Sequence, residues 1–233
     1  MRKDFAIAAA AALMMFSLTA VAGDTQKEAA KRPDFIGLGD VLGHEVPIYA
    51  LGEVYSDAAT VDQFAIEVGT ELHAYTEQTT YEACAQICRA QDGGRWGAKL
   101  ITVEAHAFCP ATTLCPEGME LVGRDIHSHV HVTLYRPTDI DKIILKGHYS
   151  MNDFVFTRSD WFSDGDFAIP GGYVMGKYAL LYQEGFTKVR YVWKTKQGVQ
   201  FSPGFMVTRT PTLQKALAFQ RTAATTQAGA TTP

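Results

Sequence analysis

Three histidines at alternate positions are the residues of this sequence best suited to chemistry. His127, His129 and His131 lie in the stretch GRDIHSHVHV, residues 123–132, whose valines and isoleucine favour a β-strand. Residues two apart in a strand point to the same face, with Cα atoms about 6.5 Å apart. Two imidazoles at that spacing can bind one metal ion, so the stretch predicts part of a metal site. We assign His131 to the end of the strand rather than to the ligand set.

Carboxylates elsewhere in the chain could complete such a site. Asp166 follows Ser163 as Ser-x-x-Asp in the stretch FSDGD, and Asp141 follows Thr138 as Thr-x-x-Asp in RPTDID. Glu82 lies upstream, in a segment expected to form a strand. Neutral imidazole together with a carboxylate suits zinc, and three protein ligands leave the fourth position for water. Three further glutamates are weaker candidates because they lie outside that strand: Glu104, Glu117 and Glu120.

The order of these pieces resembles the JAB/MPN/JAMM metalloprotease superfamily, whose motif is a glutamate, then His-Ser/Thr-His, then Ser-x-x-Asp. The closest resemblance is to an exported bacterial branch of uncharacterised domains, and it covers about residues 54–195. Three further short matches belong to it: Asp57-Ala58-Ala59, Asp92-Gly93-Gly94-Arg95 and Phe162-Ser163-Asp164-Gly165-Asp166.

The resemblance implies a role for each of five residues. His127, His129 and Asp166 would bind one Zn²⁺. Glu82 would be the general base, and Ser163 would donate a hydrogen bond to the developing oxyanion. The implied reaction is hydrolysis of a peptide or isopeptide bond in a peptide or protein substrate.

Two departures from the superfamily pattern leave alternatives open. Val130 stands where the superfamily usually has proline, and 33 residues separate His129 from Ser163, where members have a much shorter spacing. Residues 130–161 would then form an insertion over the site. Asp141 with Thr138 remains the alternative third ligand. A non-catalytic JAB/MPN-fold module, with a binding or structural role in the envelope or a secretion system, remains the alternative function.

The elements expected to position these residues belong to an α/β (α+β) fold, with a mixed central sheet flanked by helices. The stretch YSDAATVDQFAIEVGTELHAY predicts an amphipathic helix that Ser56 or Asp57 would cap. Its apolar residues recur at helical spacing: Val61, Phe64, Ala65, Val68 and Leu72.

Two hairpins, a strand, a segment that fits a helix or a strand, and a closing helix are expected around that helix. YEACAQICRA and GAKLITV flank the turn QDGGRW and predict a β-hairpin, as do GYVMGKYALLYQ and TKVRYVWKT around EGF. LVGRDIHSHVHV predicts a strand. DKIILKGH fits a short helix or a strand, and PTLQKALAFQRT predicts a closing helix.

Four cysteines, Cys84, Cys88, Cys109 and Cys115, indicate two disulfides in an exported chain. Cys84 and Cys88 would share a strand face with Glu82, yet lie too far apart along it to bond to each other. Each should therefore pair with one of the other two. A zinc deaminase site around His106 does not fit, because the required Pro-Cys-x-x-Cys spacing is missing.

The chain begins with a basic pair and an apolar run that ends in Ala20-Val21-Ala22, the layout of a cleaved signal peptide. We expect a periplasmic or secreted protein without a membrane span after cleavage. Without residues 1–22 the formal charge is −5, and this acidic balance argues against a nucleic-acid partner. The expected organisation is a signal peptide (1–22), a leader (23–50), the hydrolase domain (51–205) and a C-terminal helix with a disordered tail (206–233).

Overall fold

A computed structural model describes residues 33–129, 133–144, 154–157, 161–163, 165–169, 171–185, 187–196 and 206–208. The central sheet has eight strands: β1 (Asp34–Val41), β2 (His44–Ser56), β3 (Cys84–Ala90), β4 (Trp96–Thr102), β5 (Met119–Ser128), β8 (Tyr173–Met175), β9 (Ala179–Gln183) and β10 (Val189–Lys194). A second sheet has three short strands: β6 (Thr133–Tyr135), β7 (Phe154–Thr157) and β11 (Met206–Thr208). The helices are α1 (Val61–Thr79), α2 (Asp139–Ile144) and a 3₁₀ turn (Asp166–Ala168).

The central sheet is mixed, as predicted from the sequence. Its strand order is β1-β2-β4-β3-β5-β8-β9-β10. Neighbouring strands are antiparallel except for β5 and β8, which run parallel. The strand that carries the histidines therefore lies inside the sheet, between β3 and β8.

Helix α1 covers one face of this sheet. Its residues Phe64, Ala65, Val68 and Leu72 are fully buried, as their helical spacing predicts. They pack with Ala85, Ile87, Ile126, Tyr173 and Leu180, which come from alternate positions of the strands. Gly69 permits a close approach, because a Cβ there would lie 3.2 Å from side-chain atoms of Met175. The helix is thus seated directly over β5 and β8.

The opposite face of the sheet carries the other alternate residues. A second apolar cluster contains Cys84, Ile101 and Val103, against which Ile140 and Ile143 of α2 pack. Two disulfides join β3 to the segment that follows β4: Cys84–Cys109 and Cys88–Cys115. The prediction of two disulfides, each linking β3 to one of the later cysteines, is confirmed.

The start of the fold differs from the sequence prediction in two ways. Residues 34–50 do not belong to a leader, because β1 and β2 form a hairpin at the edge of the central sheet. Helix α1 is capped by Thr60, whose Oγ1 accepts a hydrogen bond from the backbone N–H of Gln63 at 3.2 Å. The predicted caps Ser56 and Asp57 lie before the helix, and Ser56 is the last residue of β2.

The later part of the chain also departs from the prediction. GYVMGKYALLYQ forms two antiparallel strands, β8 and β9, rather than one. DKIILKGH, which fitted either a helix or a strand, begins as helix α2. Residues 206–208, at the start of the predicted C-terminal helix and tail, form strand β11. The predicted signal peptide, His131, and the predicted closing helix and tail lie outside the described residues. Neither described helix is long and apolar enough to cross a membrane.

Candidate metal centre

The two histidines lie at the C-terminal end of β5, where His127 belongs to the strand and His129 directly follows its last residue. The alternation of the strand turns both away from α1, and both are buried. His127 lies opposite Cys84 of β3 and Val174 of β8. The backbone N–H of His129 donates to the carbonyl of Met175 at 2.9 Å. Backbone pairing on both sides therefore fixes the spacing of the two imidazoles.

Ser128, between the histidines, anchors this segment to the other face of the sheet. Its side chain is fully buried, and its Oγ lies 2.6 Å from Oγ1 of Thr76 in α1. The same Oγ lies 3.2 Å from both the backbone N and the carbonyl O of Ala83. Because Ala83 follows Glu82, this small network connects the histidine segment, the glutamate segment and the helix.

Glu82 lies two residues before β3, on the face that carries the histidines. Its backbone N–H donates to the carbonyl of Ala105 at 2.8 Å, and its carbonyl accepts from Thr102 Oγ1 at 2.8 Å. Its Oε1 lies 3.6 Å from His129 Nε2. Burial raises the pKa of Glu82 well above its ordinary value, although the charge of His127 opposes this shift.

Asp166 reaches the same place from the 3₁₀ turn. Its Oδ1 lies 3.5 Å from His127 Nε2. Its Oδ2 accepts hydrogen bonds from the backbone N–H of Ser163 at 2.6 Å and from Ser163 Oγ at 2.9 Å. The Ser-x-x-Asp motif thus forms a closed turn in which one carboxylate oxygen is held by the serine and the other faces the histidines.

The charges and burial of His127 and Asp166 favour an ion pair between these two side chains. Burial alone would lower the pKa of His127, but the charge and hydrogen bond of Asp166 outweigh it and raise the pKa to about 9. Burial alone would raise the pKa of Asp166, but the charges of His127 and His129 and the hydrogen bonds from His127 and Ser163 together outweigh it and hold the pKa well below its ordinary range. A metal ion binding here would displace the proton of His127.

The ligand atoms of His127, His129 and Asp166 have the spacing that one metal ion requires. All three lie within 4.8 Å of one another. The two histidine Nε2 atoms are 3.0 Å apart, and His127 Nε2 is 3.5 Å from Asp166 Oδ1. Two nitrogen ligands of a tetrahedral zinc ion, each about 2.0–2.1 Å from the metal, lie about 3.3 Å apart. The residues present therefore fit a zinc ion with three protein ligands.

Asp141, the alternative third ligand, is used elsewhere. It is fully buried, and its carboxylate accepts hydrogen bonds from the backbone and the Nδ1 of His106, each at 2.8 Å. Thr138 donates to it from its backbone N–H at 2.8 Å and from Oγ1 at 2.9 Å. The group of residues that could hold a metal in the described part of the chain contains Asp166 and not Asp141.

Sequence reasoning missed the residues that support the ligands. The His106–Asp141 pair, Thr76 and Gln183 all hold site segments in place through buried hydrogen bonds. Gln183 is the polar residue of the buried apolar run ALLYQ. Such a residue indicates that its side chain makes a hydrogen bond inside the protein, but the sequence does not show with which partner. The three lesser candidates for the role of Glu82, namely Glu104, Glu117 and Glu120, lie on other segments of the chain than Glu82.

Comparison with known proteins adds no relative. No family model, no curated protein and no solved structure matches the chain.

Proposed function

We propose that the protein is an exported zinc-dependent hydrolase of peptide or isopeptide bonds, with a fold of the JAB/MPN type. One observation supports this proposal above all. Two imidazoles, one carboxylate ligand and a separate buried glutamate converge from three segments of the chain. The two disulfides are consistent with a protein that works in the periplasm or outside the cell.

The chemistry of the donor set favours zinc. His127, His129 and Asp166 would hold the ion, and catalytic zinc sites commonly have three protein ligands of these types. A zinc ion in such a site supplies Lewis-acid polarisation of a carbonyl group and lowers the pKa of water.

Glu82 is suited to act as the general base. In the hydrolysis of an amide, the hydroxyl of water bonds to the carbonyl carbon, the C–N bond breaks, and the other proton of water is delivered to the leaving amine. Glu82 would accept that proton from water and pass it to the amine nitrogen. Its burial raises its pKa, which makes its carboxylate a better proton acceptor than an exposed one. The carboxylate lies beside the histidines without belonging to the ligand group.

Ser163 has two possible roles that can be separated by experiment. The resemblance implies that its hydroxyl stabilises the oxyanion, whereas in the structure the hydroxyl donates to Asp166 Oδ2. The observed contact favours orientation of the ligand carboxylate. A Ser163→Ala variant with weaker zinc binding would support orientation, and one with normal zinc binding but a lower kcat would support oxyanion stabilisation.

The proposal is tested with a Glu82→Gln variant of the zinc-loaded protein. The substrates are pooled fluorogenic peptides of mixed sequence and a matched pool joined through a lysine isopeptide bond. We expect Glu82→Gln to retain about one zinc per chain and to lose activity by about 10²–10⁴-fold, the usual contribution of a general base. Glu53→Gln is the matched control, because Glu53 lies on β2 and is exposed. Equal activity of Glu82→Gln and the unaltered protein would refute the assigned role.

A further inference from the structure

The side-chain amide of Gln183, at the end of β9, makes three hydrogen bonds. Its side chain is fully buried. The Nε2 group donates to the carbonyls of Asp166 at 2.9 Å and Ile169 at 2.8 Å, and Oε1 accepts from the backbone N–H of Gly185 at 2.6 Å. Both amide hydrogens and the amide oxygen are therefore used, and this pattern fixes which way the amide points.

The backbone of Gln183 is itself hydrogen-bonded to the segment that precedes β8. The backbone N–H of Gln183 donates to the carbonyl of Gly172, and its carbonyl accepts from the N–H of Gly171, each at 3.0 Å. The side chain thus connects a fixed point of the central sheet to two carbonyls of the segment that carries Asp166. The first carbonyl belongs to Asp166, the first residue of the 3₁₀ turn, and the second belongs to Ile169, the residue that follows the turn.

The turn with Asp166 depends on such a connection more than the histidines do. His127 is paired with strands on both sides, and the backbone N–H of His129 donates to Met175 of β8. The described hydrogen bonds between Ser163 and Asp166 lie within the turn and do not tie it to the sheet. Apolar packing of Phe162 on Val174 and Leu181 does hold the segment against the sheet, but packing of this kind has no fixed direction.

We propose that Gln183 is a positioning residue for the metal centre, which holds the Asp166 carboxylate at the distance from the histidines that a metal ion requires. Gln183 does not contact the ion or the substrate and acts only through Asp166. The inference rests on the proposed function, since it assumes that Asp166 is a ligand. Groups that orient metal ligands typically change metal affinity by about 10–100-fold when they are removed.

The test compares zinc affinity, measured by competition with a chromophoric chelator, in the unaltered protein and in Gln183→Met. Methionine preserves the length of the side chain and removes all three hydrogen bonds. Gln91→Met is the matched control, because Gln91 is exposed and, among the residues that the structure describes, its amide donates to Glu120. We expect about a 10–100-fold loss of affinity in Gln183→Met and none in Gln91→Met. The visible absorption of bound Co²⁺, which reports coordination geometry, should change in Gln183→Met alone.

A double variant separates positioning from general damage to the fold. Because Gln183 acts through Asp166, adding Gln183→Met to Asp166→Ala should cause no further loss of the weaker zinc affinity that His127 and His129 retain, which is measured by titration at high zinc concentration. If Gln183→Met does not fold, Gln183→Asn takes its place in each comparison, since its amide is one methylene too short to reach both carbonyls.

Each outcome bears on a definite claim. Normal affinity and a normal Co²⁺ spectrum in the Gln183 variant would overturn the positioning role and leave the metal site standing. An equal loss of affinity with and without Asp166 would also overturn it, because the effect would not pass through the ligand. Absence of zinc binding in the unaltered protein would overturn the proposed function together with this inference.

Discussion

At the scale of single residues, the motifs Thr138-x-x-Asp141 and Ser163-x-x-Asp166 make the same pair of hydrogen bonds but face different side chains. Thr138 and Ser163 each donate a backbone N–H and a hydroxyl to the aspartate three positions later. The other carboxylate oxygen of Asp141 accepts from the backbone N–H of His106, whereas the other oxygen of Asp166 faces His127. Spacing alone could not separate the two, because the distinction depends on which segment the fold brings alongside.

The histidine ligands, by contrast, were accessible from the sequence. The alternation of a strand is a local property, so His127 and His129 had to share one face. The support of the histidine segment by Thr76, and of Asp166 by Gln183, was not predictable, because each contact joins residues from different elements.

Replacement of Asp141 by asparagine should destabilise the fold and spare the metal centre. The Asp141 carboxylate accepts hydrogen bonds from His106, Ala107 and Thr138, and an asparagine NH₂ would face some of those donors. We expect Asp141→Asn to lower the free energy of unfolding at pH 7 by about 3 kcal/mol. Urea denaturation measures this change, and Asp139→Asn, at an exposed position of the same helix, is the control.

The contribution of Asp141 should also depend on pH. Burial alone would raise the pKa of Asp141, but the hydrogen bond and charge of His106 and the hydrogen bonds from Thr138 together outweigh it and lower the pKa below the ordinary value of 3.8. A lowered pKa in the folded state stabilises the protein above the ordinary value, and this stabilisation is lost as the pH falls through the lowered one. The difference between the two proteins should therefore be constant from pH 7 to about 5 and shrink below about 4. A difference that grew on acidification would contradict this reasoning.

At the scale of elements, the sequence predicted those with clear periodicity and missed those without it. The apolar spacing of α1 and the alternation around the β3–β4 turn were sufficient signals. The β1–β2 hairpin was missed because its first strand is mostly exposed and interrupted by Gly37 and Gly39, so it lacks a buried face. The predicted long strand from residue 172 is divided at Gly176, whose backbone N–H closes a turn with Ala179.

Helix α1 should stabilise the histidine segment through one buried hydroxyl pair. Thr76→Val preserves the shape of the side chain but removes the partner of Ser128 Oγ at 2.6 Å. Ser128 Oγ keeps its contacts with the backbone of Ala83, so we expect the free energy of unfolding to fall by about 1 kcal/mol, the usual net contribution of one hydrogen bond. Thr70→Val on the exposed face of the same helix is the matched control. Equal stability of the two variants in thermal and urea unfolding would show that the Thr76–Ser128 contact contributes little.

At the scale of the whole molecule, both disulfides join β3 to the segment after β4, on the face of the sheet that carries the metal centre. Cys84 lies directly opposite His127 in the strand pairing, whereas Cys88 lies further along β3, opposite Leu121. The first disulfide also restrains the segment that contains Ala105 and His106. The two bridges therefore have similar loop lengths but different distances from the candidate ligands.

Removal of each disulfide should have similar effects on stability and different effects on zinc binding. The bridges close loops with sequence separations of 25 and 27 residues, so each double Cys→Ser variant should lose about 3 kcal/mol of unfolding free energy. Only the Cys84→Ser, Cys109→Ser variant should bind zinc more weakly, because it loosens the neighbours of His127 and Glu82. Equal zinc affinity in both variants would show that the first bridge supports stability alone.

The central claim is that His127, His129 and Asp166 together hold one metal ion. The most direct measurement is zinc content by elemental mass spectrometry, after incubation with zinc and removal of the excess. We predict about one zinc per chain in the unaltered protein and in Asp141→Asn, and loss of the metal in His127→Ala and in Asp166→Ala. An unaltered protein without zinc would contradict the metal centre and the hydrolase proposal, and loss of zinc in Asp141→Asn with retention in Asp166→Ala would move the third ligand to Asp141.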